Sequence, residues 1–136
     1  MAWRAAAEGE ASGYMMSSER SEEVKIDTVR SYSGGLPGRA LNQARTNHFV
    51  IDSPSGPHEA LSSGEAFLAG VSSCGVTLIE LYAQQQGVPL RRTEVTIEGV
   101  RTVAEPNRFA EVRMRFELHG VNQAQAESLV EVYQAR

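Results

Sequence analysis

Apolar and polar positions divide the chain into segments of different period. Val24-Lys-Ile-Asp-Thr-Val-Arg places Val24 and Ile26 on one face, which predicts a first strand. Ser33-Gly-Gly-Leu-Pro-Gly38 is a turn cluster. Arg39-Ala-Leu and Asn47-His-Phe-Val-Ile-Asp52 read as two more short strands, and Ser53-Pro-Ser-Gly-Pro-His58 as a loop. The period then lengthens. Phe67, Val71, Cys74, Leu78 and Leu81 recur at steps of four and three, the stripe of an amphipathic helix. Ser62 and Glu65 have the spacing of a capping box. Gly87 suits the position after the last turn, with Pro89 as a stop. Ala66, Leu68, Ala69 and Ile79 widen the apolar surface, so burial on more than one side is expected.

Two alternating strands follow. Thr93-Glu-Val-Thr-Ile-Glu points Val95 and Ile97 inward, and Val112, Met114, Phe116 and Leu118 alternate with Arg113, Arg115, Glu117 and His119. That is an antiparallel pattern, apolar side in and charged side out. Glu105-Pro-Asn-Arg108 supplies the turn. A last helix begins near Asn122, with Ala126, Leu129, Val130 and Tyr133 on its face. It runs to Arg136 with no stop signal, which predicts further sequence downstream. Strands, long helix, strands and helix in that order make an α+β fold, helices on one face of an antiparallel sheet.

Residues 1–23, rich in Ala, Ser, Glu and Gly, read as a mobile leader, with Met15-Met16 as an alternative start. The ordered domain is expected over 24–136. A length of 136 residues fits one domain. The formal charge of −4 and the scattered basic residues argue against a nucleic-acid partner. No stretch reads as the roughly 18 consecutive apolar residues of a membrane span. The N-terminus lacks the apolar core of a signal peptide. One cysteine excludes a disulfide scaffold and points to a reducing cytoplasm.

That lone thiol, Cys74, is the candidate for chemistry. On the stripe it reads first as a buried core residue, packed as a small hydrophobe. Glu65 reads as a helix cap. Ser72 and Ser73 are expected to bond back to carbonyls one turn earlier. His48, His58 and His119 stand apart, without the spacing of a zinc site, so no metal is expected. The glycines form no phosphate-binding loop, and no cofactor is called for.

The meander ending Arg45-Thr-Asn-His-Phe-Val-Ile-Asp52, the Pro/Gly loop, the helix reading Phe67-Leu-Ala-Gly-Val-Ser-Ser-Cys74 and the strand from Leu90 together resemble the OsmC/Ohr superfamily. The likeness is to its broader OsmC-like branch. It implies an intertwined homodimer around a long central Cys-bearing helix, with sites at the interface. It also implies thiol peroxidase activity. In the family a helix cysteine attacks an organic hydroperoxide, becomes a sulfenic acid and condenses with a second cysteine, which is expected after the last helix, helped by an Arg and a Glu. Cys74 matches the nucleophile, and Arg45 with His48 resembles the branch's Arg-x-x-His pattern. Arg39 is the other candidate arginine. Glu65 stands one residue from the family's glutamate, whose own position is Gly64. The implied partners are a second copy, a small peroxide and a thiol reductant. The competing reading is a non-enzymatic dimer that binds a small apolar ligand, with Cys74 structural.

Overall fold

The computed structural model describes residues 23–136, so the expected leader lies outside the described residues, apart from its last position, Glu23. Strands β1 (Arg30–Ser33), β2 (Arg39–Ala44) and β3 (Asn47–Asp52) form an antiparallel sheet in sequence order. Helix α1 spans Ser63–Gln86. Strands β4 (Arg92–Val100) and β5 (Glu111–His119) form a separate antiparallel ribbon, and helix α2 covers Gln123–Gln134.

The ends of α1 are where the sequence placed them. Ser62 Oγ accepts from the Glu65 N–H at 3.3 Å, and the Glu65 carboxylate accepts from the Ser62 N–H at 2.8 Å. Gly87 closes the helix at φ 65°, left-handed backbone that a residue with a Cβ adopts only under strain. A second capping box, Asn122 with Gln125, starts α2.

Four expectations need correction. No strand forms at Val24. Val24 and Ile26 are 77% and 79% exposed in irregular backbone, because alternation defines a face but supplies no neighbour to pair with. The expected single sheet is two, since β3 hands over to α1 rather than pairing with β4 or β5. Helix α2 ends at Gln134, with Ala135 as its cap. Finally, α1 is long and apolar enough to cross a membrane by length and composition, with a mean hydropathy of 1.5 over its best window. Ser72, Ser73, Thr77 and Glu80 interrupt any continuous apolar run and lower that average without cancelling it. Here the helix packs instead on β4 and α2.

The core also corrects the helical stripe. Gly75, Ile79 and Ala83 are the buried positions of α1, at steps of four. They meet Leu129 of α2 and Phe116 and Leu118 of β5. A Cβ on Gly75 would stand 3.4 Å from the Phe116 ring, so glycine lets the helix backbone settle against the ribbon. Of the expected stripe, Phe67 is 57% exposed and Leu81 55%, while Val71 and Leu78 are half-buried.

Candidate functional site

Cys74 belongs to that outward face and is exposed. Phe67 lies seven residues before it and Leu81 seven after, nearly eclipsed along the axis. The thiol is therefore no core filler within this chain. Two neighbouring hydroxyls are spent locally, whereas Ser73 Oγ does not make the expected bond to a carbonyl one turn earlier. Ser72 Oγ donates to the Ala69 carbonyl at 3.2 Å, as expected, and Thr77 Oγ1 to Ser73 and Cys74 carbonyls at 3.1 and 3.3 Å. Among the described residues no side-chain hydrogen bond reaches the Cys74 sulfur.

The candidate helpers lie elsewhere in the chain. Arg39 faces its cross-strand partner Asp52, and its Nε and Nη2 donate to the two carboxylate oxygens at 2.8 and 2.7 Å. Nη2 also reaches Glu59 at 2.7 Å. Asp52 is fully buried and accepts in addition from the Glu59 and Ala60 N–H groups. This fork ties the 53–61 loop to the first sheet. The Arg39 guanidinium holds the Asp52 carboxyl far below the usual carboxylate range, and the two carboxylates push Arg39 further up. Arg39 thus has a complete set of partners without Cys74.

Arg45 sits at the tip of the β2–β3 hairpin, with φ 56°, its carbonyl accepting from Gln43 Nε2 at 3.2 Å. His48 is on β3 opposite Gln43. Glu65 is occupied by its cap, and the backbone N–H of Ser62 is the main reason its carboxyl is held below the usual value. Within one chain neither arginine hydrogen-bonds the thiol.

Three arrangements escaped the sequence because their members are distant in it. The first is the Asp52 fork. The second is a stack: Phe67 lies on Phe109, ring centroids 6.1 Å apart, and the Arg101 guanidinium lies over the other ring at 4.2 Å from the Phe109 centroid. Arg101, Arg39, Ser62, Ser63 and Gly64 line a cavity of about 580 Å³ at the start of α1. The third corrects the reading of His119 as isolated. Glu94, Glu117 and His119 bring donor atoms within 4.8 Å of one another on the outer face of the ribbon. Glu94 and Glu117 face each other across the ladder, and each already has a cation, Arg92 and Arg115.

A family model described as OsmC-like protein matches residues 56–136, from the loop before α1 through α2. The chain belongs to the OsmC-like family. No curated protein matches it. Solved structures carry the likeness to β1–β3 as well. The OsmC like protein from Mycoplasma pneumoniae is 13% identical, with a TM-score of 0.70, covering 82% of each chain. An organic hydroperoxide resistance protein OsmC from Legionella pneumophila is 21% identical, with a TM-score of 0.63, covering 82% of this chain and 84% of that one. The organic hydroperoxide resistance protein OhrB of Bacillus subtilis is 15% identical, with a TM-score of 0.57 and the same coverage. At these identities the likeness is one of fold. In this OsmC-like chain Cys74 and Glu65 fall inside the segment matched by the family model, and Arg39 and Arg45 outside it.

Proposed function

We propose that this OsmC-like chain is a thiol peroxidase for organic hydroperoxides, working as a cytoplasmic homodimer with Cys74 as nucleophile. The observation that carries the reading is the exposed thiol of Cys74 between Phe67 and Leu81 on the outward face of α1. A thiol there is open to attack a peroxide, and the apolar residues one helical repeat away on either side suit an alkyl or aryl group.

The Cys74 thiolate attacks the terminal oxygen of the hydroperoxide, and the O–O bond breaks. The alkoxide takes a proton and leaves as an alcohol, and the sulfur becomes a sulfenic acid. An external thiol can condense with the sulfenic acid, releasing water and leaving a mixed disulfide. A second external thiol reduces that bond and restores Cys74. A cation beside the sulfur favours the thiolate. Arg45, exposed on its hairpin tip, fits this part from across a dimer, whereas Arg39 is held by Asp52 and Glu59.

Exposed apolar side chains support the homodimer. Phe67, Leu81 and Val112 leave apolar surface on α1 and β5 that a second copy would bury. That surface also supports the alternative, a non-enzymatic dimer that takes up a small apolar ligand. Stopped-flow consumption of cumene hydroperoxide with excess dithiol separates them. Wild type is expected to turn over and Cys74→Ser to fall to the uncatalysed rate. Equal slow rates in both would leave the binding dimer.

A further inference from the structure

Position 64, where the resemblance calls for a glutamate, is glycine in this chain, and a cation has taken its space. A Cβ on Gly64 would stand 2.5 Å from Arg101 Nη2, so the guanidinium lies directly on the first turn of α1. Phe109 supports its other face at 4.2 Å. Phe109 is itself laid down on β4 at Gly99, where its ring leaves no room for a Cβ. The exposed Arg101 side chain thus lies between Gly64 and the Phe109 ring.

Its charge is open. Arg39 lines the same cavity, but Asp52 and Glu59 answer it. Among the described residues no carboxylate lies within ion-pair distance of Arg101. The first turn of α1 is already capped by Ser62 and Glu65, so recognition of an anion there would rest on the arginine and not on the helix end. A guanidinium already braced on a ring loses little freedom when it binds an oxyanion in its fork. From Gly64 to Cys74 is ten residues, about 15 Å along the axis. The exposed ring of Phe67 lies between them on the side of Cys74.

We propose that Arg101 is a specificity residue that anchors the acidic end of an amphiphilic hydroperoxide, whose apolar part crosses Phe67 and whose peroxide end lies at Cys74. The proposal rests on the peroxidase reading for its reactive end. Its oxyanion anchor stands or falls separately.

The test compares one alkyl hydroperoxide bearing a terminal carboxylate with its methyl ester, in wild type, Arg101→Gln and Arg101→Lys. Wild type is expected to favour the acid about tenfold or more in kcat/KM, mainly through KM. Arg101→Gln should bring the ratio of acid to ester close to one, and Arg101→Lys should restore part of it. Arg108→Gln, a loop arginine paired with Glu105, should keep the preference. No preference in wild type, or the same preference in Arg101→Gln, overturns the proposal. Calorimetric titration of decanoate and decanamide supplies the second arm. Decanoate binding to wild type and not to Arg101→Gln, with no turnover of either hydroperoxide, keeps the anchor and sinks the peroxidase. Decanoate binding to neither protein, or equally to both, sinks the anchor whatever the turnover.

Discussion

Arg39 and Asp52, direct neighbours across β2 and β3, meet through two parallel hydrogen bonds, with the carboxylate wholly buried. Removing one partner leaves a buried charge unanswered, which costs more than the pair contributes. Arg39→Ala should therefore lower the melting temperature by about 10 °C or more. The double variant Arg39→Ala/Asp52→Ala should recover part of that loss in the same thermal scan. A single variant that melts like wild type would mean the fork holds nothing together.

The same pair sets a pH response. The Arg39 guanidinium, helped by the Glu59 and Ala60 N–H groups, keeps the folded Asp52 pKa far below its unfolded value. A depressed carboxyl stabilises the fold fully above its unfolded pKa of about 4, and that contribution fades as pH falls toward the folded value. Melting temperature should thus drop from about pH 5 downward, and Asp52→Asn should start lower and fall less steeply. Parallel curves for the two proteins would assign the acid sensitivity to other groups.

Ser62 begins α1 by accepting the Glu65 N–H. Ser62→Ala should cost about 1 kcal/mol in urea unfolding, and Ser62→Asp, which keeps an acceptor at the cap, should cost less. An equal loss in both would show that the hydroxyl cap contributes little.

Two glycines of α1 should respond oppositely. Gly75 faces Phe116, Met114 and Tyr133 at 3.4–3.7 Å from a built Cβ, so Gly75→Leu should overpack and destabilise by roughly 1–3 kcal/mol. Nothing lies within 4 Å of a Cβ on Gly70. Gly70→Ala should stabilise the monomer by about 1 kcal/mol through helix propensity. Chemical denaturation of both variants reads the contrast, and two losses of equal size would place Gly70 against a partner surface.

Light scattering at micromolar concentration should give the mass of a dimer. Leu81→Glu, on the exposed face of α1, should weaken that association about tenfold or more, since a buried unpaired carboxylate is costly. A wild-type monomer would remove the second copy from the proposed site.

The sequence by itself determined the local features. Ser62, Glu65 and Gly87 announce the ends of α1 because caps are satisfied by residues a few positions away. Arg92–Val100 and Glu111–His119 are legible as strands because their alternation is built into the residue order, and Asn47–Asp52 as a short apolar run. Cys74 was visible as the sole thiol, and its surroundings carried the family likeness. Only the tertiary structure decided which way α1 turns. Its apolar residues run around much of the cylinder, so periodicity allowed the Cys74 stripe to be buried. The choice fell to Gly75 and Ala83, whose small size lets the helix approach the ribbon and leaves Cys74 outside. The Arg39–Asp52–Glu59 fork and the placing of Arg101 on Gly64 were likewise decided in three dimensions. Charge and space are matched there between residues on different elements and loops, whose approach the sequence spacing does not fix.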